Sequence, residues 1–254
     1  MTRSELTRRL LAEYLGTALL VTAIVGSGIM AAQLSPNDVG LQLLENSIAT
    51  MLALAVLILI LGPISGAHFN PVVTLADVWL HRRDKARLTT VTVVGYLAVQ
   101  MAGGISGAIL ANVMFGLDAV ALSTKARTTP HLWIGEVVAT AGLILVIAAL
   151  VRSHRANLAA AAVGAYIGAA YWFTSSTSFA NPAVAVGRTF TNTFAGISPA
   201  SLAGFIVAEL IGAAVGLVVV TVLFPAALTV TPETAAIDPA ESGSTNRVPV
   251  RSMK

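Results

Sequence analysis

Residues 178–190 read SFANPAVAVGRTF, and residues 67–76 read AHFNPVVTLA. Both interrupt an apolar run with an Asn-Pro pair. Proline lacks a backbone N–H and fixes its own φ, so it suits the first turn of a helix. Asparagine in front of it is a favoured N-cap. Each pair therefore reads as a helix start, at Pro71 and at Pro182. The stretches before them, GPISGAHF (62–69) and TSSTSF (174–179), read as non-helical backbone.

The surroundings decide where those starts lie. No Asp, Glu, Lys or Arg occurs from Asn46 to Val73, from Leu88 to Leu117 or from Ala156 to Gly187. A bilayer-spanning helix needs about 20 apolar residues. The chain is 56% hydrophobic and 11% charged, which is about half the charged fraction of a soluble domain. These runs are membrane spans, expected at roughly 9–32, 42–62, 88–111, 131–151, 157–176 and 200–224. Segments 70–80 and 181–191 are too short to cross as helices. The basic start and apolar run at the N-terminus resemble a signal peptide, but the run is too long and Glu13 lies inside it, so it reads as a retained first span. Cysteine is absent, which removes thiol chemistry and disulfides. The basic residues are scattered in loops and form no block that would take nucleic acid.

Loop charge sets the expected orientation. TRSELTRR, HRRDKAR (81–87) and RSHR (152–155) are basic, and the intervening loops are poorer in Lys and Arg. With an even number of spans, both termini are expected in the cytoplasm, in a multi-pass protein of the plasma (inner) membrane. Residues 1–8 form the N-terminal segment, 9–224 the membrane domain, and 225–254, rich in Pro, Ser and Thr, a disordered tail.

The membrane domain repeats itself, over about 9–115 and 131–224. Glu13 and Thr17 in the first span match Glu136 and Thr140 in the fourth. Asn70-Pro71 matches Asn181-Pro182. Gln100, Gly103 and Gly107 match Glu209, Gly212 and Gly216. Three spans per repeat is an odd number, so the second copy enters from the other side. The result is an inverted repeat with its site near the midplane. Non-helical backbone cannot face lipid but is tolerated beside a watery cavity. Two half-helices entering from opposite sides bring their positive dipole ends together. The two Asn amides can then donate to a passing neutral molecule, while cations meet an unfavourable field. Glu13 and Glu136 read as supports for the non-helical backbone, with a proton-relay role as the alternative. The paired glycines have helix-packing spacing. His68 either faces the cavity or ties down loop backbone. Nothing in the sequence suggests a nucleophile, metal cluster, phosphate loop or paired catalytic carboxylates, so neither an enzyme nor a cofactor is expected. Inverted repeats also build proton-coupled transporters, but the motif neighbourhood offers His68 and no acid.

ISGAHFNPVVTLA and FANPAVAVGR resemble the two motifs of the aquaporins and glycerol facilitators, the major intrinsic protein family, and the resemblance runs over about residues 8–224. It implies an all-α membrane fold of six transmembrane helices plus two re-entrant half-helices. It also implies a homotetramer in the lipid bilayer that passes water or small uncharged solutes. By resemblance, Asn70, Pro71, Val72 and Asn181, Pro182, Ala183 form the paired pore motif. Val72 replaces the usual alanine. Val184 replaces the arginine that usually follows the second motif. Counting by family spacing, the other constriction residues are Thr50, Ala169 and Ser178. A Thr, Ala, Ser and Val set is small and uncharged, and implies a filter open to glycerol, urea or arsenite. The run through 171–197 is similar to a bacterial subgroup associated with arsenic. An orthodox water channel is the alternative. Asn181, Val184 and Arg188 share one helix face, so Arg188 either guards the vestibule, or snorkels to the outer interface or pairs with a loop acceptor.

Overall fold

A computed structural model describes residues 1–82 and 88–224. The proposed tail and part of the 81–87 loop lie outside them. Among the described residues the fold is all-helical. In chain order the helices are α1 (Arg3–Leu34), α2 (Val39–Ser65), α3 (Pro71–Leu80), α4 (Thr90–Met114), α5 (Pro130–Arg152), α6 (Ala159–Phe173), α7 (Pro182–Gly187) and α8 (Pro199–Leu223). Single 3-10 turns precede α6 and follow α7. Six segments are long and apolar enough to cross a bilayer, with the turn Ala156–Leu158 extending α6. The spans run in the order read from sequence, except that the fifth ends at Phe173 rather than near 176. Thr174 has extended backbone there and leads into the non-helical arm.

The termini of the helices follow local chemistry. Asp38 caps α2 through the N–H of Leu41. Gly66 closes α2 with φ +94°, a conformation that glycine adopts without a steric penalty. Proline opens α3, α5, α7 and α8. Each span alternates direction, so α1 begins and α8 ends at the same face. That face, which also carries the α3–α4 and α5–α6 connections, is called the N-terminal face below.

The repeats pack alike. α1 lies along α4, and α5 lies along α8. The glycines make these contacts backbone to backbone. A Cβ at Gly107 would sit 2.2 Å from the carbonyl oxygen of Ala18, and one at Gly103 would sit 2.5 Å from that of Tyr14. In the second half, Gly212 and Gly216 meet the carbonyls of Val137 and Ala141, each at 2.6 Å. The half-helices cross between repeats: α7 packs on α4 and α3 on α8. Gly104 and Gly187 bring α4 and α7 into backbone contact, where an added Cβ at either site would come 2.3 Å from a backbone oxygen. Outward-facing leucines and valines such as Leu11, Leu15, Leu19, Leu52 and Val56 are exposed. Lipid, rather than an internal core, is the partner for such a surface.

Overpacking a tight helix contact costs about 1–3 kcal/mol. Gly107→Ala should therefore lower the thermal midpoint of the detergent-solubilised protein. A Cβ at Gly62 meets nothing within 4 Å. Gly62→Ala should leave the midpoint unchanged or raise it slightly. Equal effects of the two substitutions would contradict the packing described.

Candidate functional site

The N-termini of α3 and α7 meet inside the bundle. Asn70 caps α3 by accepting the N–H of Val72 at 3.0 Å, and Asn181 caps α7 by accepting those of Ala183 and Val184 at 3.0 and 3.3 Å. Each side-chain amide then reaches into the other repeat. Asn70 Nδ2 donates to the carbonyl of Ala180 at 2.7 Å, and Asn181 Nδ2 donates to that of Phe69 at 2.8 Å. An amide nitrogen carries two hydrogens. One on each Asn is spent on this lock, and the other is left for a molecule in the cavity.

The non-helical arms hold an unusual backbone. Ala67 and Phe69 in the first arm, and Ser178 and Ala180 in the second, have φ between 48° and 50°. Left-handed backbone is disfavoured for residues with a Cβ and persists only when the surroundings impose it. Here the imposing groups are carboxylates. Glu13 accepts the N–H of His68 at 3.0 Å and of Phe69 at 2.7 Å, together with Ser65 Oγ at 2.6 Å and Gln100 Nε2 at 2.8 Å. Glu136 accepts the N–H of Phe179 at 2.9 Å and of Ala180 at 2.7 Å. Glu209 takes the next N–H, that of Asn181, at 2.9 Å. All three acids are fully buried, yet none lines the cavity. In a trans peptide the N–H and the preceding C=O point in opposite directions. With their N–H groups turned to Glu13, His68 and Phe69 leave the carbonyls of Ala67 and His68 pointing away from it. Glu136 does the same for those of Ser178 and Phe179. Residues 66–70 and 178–181 all line the cavity. The arms thus present a line of acceptors to it, ending at the two Asn donors.

The cavity has a volume of about 940 Å³. Its walls come from α1, α2, α5, α6, the two half-helices and their arms, while α4 and α8 stand behind them. Asn70, Asn181, Thr50, Ser178, Val184, Arg188 and His68 all line it. His68 also ties to Thr74, with Nδ1 3.0 Å from Oγ1, so it both faces the cavity and anchors the arm. Pro71, Val72, Pro182 and Ala183 are buried behind the wall. Val73, not Val72, faces the cavity.

Ala169 is the exception among the family-spaced constriction positions. It lies on the exposed side of α6, away from the cavity. The helix instead turns Val163, Ile167 and Tyr171 inward, four residues apart. Tyr171 is therefore the aromatic wall that counting by family spacing missed. The i, i+4, i+8 stripe of Val163, Ile167 and Tyr171 was the available signal. Its hydroxyl donates to Thr50 Oγ1 at 3.2 Å, bridging α6 to α2. The wall at this level is not uniformly small. It has an apolar part, the Tyr171 ring and Val184, and a hydroxyl part formed by Thr50, Tyr171 and Ser178. The Ser178 hydroxyl is buried without a protein partner.

Arg188 does not snorkel. It is 3% exposed, stacks over the Phe179 ring with its guanidinium carbon 3.5 Å from the centroid, and donates Nε to the carbonyl of Ala195. It combines cavity lining with a loop acceptor. Two further cations stand nearby on the 115–129 connection, and sequence reading gave them no role. Arg127 donates Nη1 to the Ser176 carbonyl at 3.2 Å, and Lys125 donates Nζ to that of Phe194 at 2.9 Å. Burial pulls the Arg127 guanidinium below its ordinary pKa. Burial, then the charges of Arg127 and Arg188, bring Lys125 down to about 8. No cluster of metal-ligating side chains occurs among the described residues.

Glu136→Leu would strand the N–H groups of Phe179 and Ala180, at about 1–3 kcal/mol for each unpaired group. Thermal unfolding in detergent should show a large loss, with Glu136→Gln intermediate because one acceptor oxygen remains. A Glu136→Leu protein as stable as the parent would mean that the carboxylate does not hold the arm.

Comparison with known proteins agrees with this architecture. A family model described as major intrinsic protein matches residues 1–180. The chain is 53% identical over 213 residues to aquaglyceroporin AqpS of Rhizobium meliloti, covering 84% of this chain and 88% of that one. It is 32% identical over 201 residues to aquaporin NIP2-1 of Oryza sativa, covering 76% and 64%. The solved structure of the aquaglyceroporin from Plasmodium falciparum superposes with a TM-score of 0.63 at 20% identity, covering 85% of this chain and 95% of that one, and so shares the fold. The chain belongs to the major intrinsic protein family and is a passive transmembrane channel, not an enzyme.

Proposed function

We propose that this channel passes glycerol-sized uncharged solutes as well as water, and that its filter is formed by Thr50, Tyr171, Ser178 and Val184. The observation that carries the reading is the division of that wall. Val184 and the Tyr171 ring offer an apolar surface, while Thr50, Ser178 and the Tyr171 hydroxyl offer hydrogen bonds. A polyol has the same division, with a carbon chain on one side and hydroxyls on the other. The 53% identity to a protein named an aquaglyceroporin supports the same conclusion. Urea and arsenite fit the same description of small, neutral, hydrogen-bonding molecules.

Under this reading Asn70 and Asn181 are the midplane donors. The converging N-termini of α3 and α7 exclude cations there. Arg188 guards the entrance one turn beyond the filter. Glu13, Glu136 and His68 are supports. Basic residues concentrate at the N-terminal face, including Arg3, Arg8, Arg9, Arg152 and Arg155. That bias supports a cytoplasmic position for both termini, with the Arg188 mouth outside the plasma (inner) membrane. Four copies assemble in the bilayer, each with its own pore. A proton-coupled mechanism is disfavoured because the three buried acids are occupied by backbone N–H groups and stand away from the cavity.

Stopped-flow light scattering on proteoliposomes tests the proposal. Glycerol, urea and arsenite should each enter faster than into empty liposomes, without a proton gradient. Val184→Arg should cut glycerol flux about tenfold or more, since an added barrier of about 1.4 kcal/mol suffices, and should affect water flux less. Water flux alone, uphill uptake driven by protons, or equal glycerol flux in the variant would overturn it.

A further inference from the structure

The mouth opposite the N-terminal face carries three cations bound only to neutral acceptors. Lys125 Nζ and Arg188 Nε donate to the successive carbonyls of Phe194 and Ala195. Arg127 Nη1 donates to the Ser176 carbonyl. The guanidinium carbons of Arg127 and Arg188 lie 5.1 and 3.5 Å from the centroid of the same ring, Phe179, so they are no farther apart than the sum of those distances. No carboxylate pairs with any of the three among the described residues, and both oxygens of the buried Glu136 already accept backbone N–H groups. Among the described residues, the one ion pair joins His81 and Asp77, toward the other face. Both terminal nitrogens of Arg188, Nη2 of Arg127 and two hydrogens of Lys125 have no acceptor among the described residues. The Nε of Arg127 is buried without one.

Clustered cations repel one another, and buried guanidinium groups lacking a carboxylate are costly. A mobile anion relieves both effects. Planar guanidinium forks beside an ammonium match the oxygens of a small oxyanion. We propose that Lys125, Arg127 and Arg188 form a binding site for a small oxyanion, of the sulfate or phosphate class, at this mouth of the pore. The site adjoins the neutral-solute path without being part of its filter. Arg188 belongs to the cavity wall and also faces the cluster, whereas Lys125 and Arg127 sit outside the cavity lining. It does not depend on which neutral solute the channel carries.

Sulfate is the suitable probe because its charge is constant near neutral pH. Equilibrium dialysis of the full-length protein, in a phosphate-free detergent at fixed ionic strength made up with chloride, should show saturable binding of one sulfate per chain. Lys125→Gln should weaken it about tenfold, the loss of one charge-assisted hydrogen bond. Lys125 is the titrating member, and the charges facing it, Arg127 and Arg188, stay protonated. Below about pH 8 it is charged and contributes, and above that it is neutral. Sulfate affinity should therefore fall between pH 7 and pH 9. In Lys125→Arg it should hold constant over that range. The Lys125→Arg comparison stands even if Lys125→Gln does not fold. No saturable sulfate binding, equal binding by Lys125→Gln, or the same pH profile in the parent and Lys125→Arg would overturn the proposal.

Discussion

Two carboxylates buried in the bundle, Glu13 and Glu136, gather the N–H groups of backbone that belongs to no helix. The N–H side of that backbone faces protein rather than the watery cavity, and each N–H left unpaired there costs about 1–3 kcal/mol. The carboxylates solve this in one direction only. They take N–H groups and leave carbonyls, so the backbone acquires a polar side facing the cavity and a satisfied side facing the protein. The left-handed residues 67, 69, 178 and 180 are the conformational cost of that sidedness. Everything that follows depends on it: the arms reach the midplane, α3 and α7 start there, and the Asn amides stand at the end of the acceptor line.

The repeats are equivalent in these essentials and unequal in detail. Gln100 donates to Glu13, whereas its counterpart Glu209 takes an N–H of its own, from Asn181. The end of the second arm is thereby held by two acids, and the first arm by one acid that an amide braces. The second half also carries both arginines of the cavity wall, Arg152 and Arg188, and the Phe179 ring on which Arg188 and the inter-repeat Arg127 stack. The chemical distinction between the two ends of the pore therefore lies mostly in the second repeat.

Much of this was legible in the order of the residues. Charge-free runs marked the spans, and the matched Glu, Asn-Pro and glycine landmarks marked the inverted repeat. The supporting role of Glu13 and Glu136 followed from their matched positions. What failed was rotation about a helix axis. Ala169 was placed by counting back from a motif across a non-helical arm, and such an arm does not preserve helical phase. Tyr171 faces the cavity because α6 ends at Phe173 and its inward stripe runs through 163, 167 and 171. Lys125 and Arg127 could not be placed from sequence either. They lie far along the chain from residues 176 and 194, whose carbonyls they bind. For Arg188, spacing fixed the face, while its lodging against Phe179 and Ala195 needed the tertiary structure.

The exchanged Asn amides bear on the order in which the molecule is made. Asn70 and Ala180 are 110 residues apart in sequence, and Phe69 and Asn181 are 112. Contacts so distant along the chain are slow to close. During synthesis the first repeat reaches the bilayer with α3 capped but with its Phe69 carbonyl and one Asn70 hydrogen still lacking their partners. Those partners emerge only after two more spans have been threaded. The midplane thus cannot close before the second repeat arrives, and until then the first repeat is a half-lined cleft rather than a conduit.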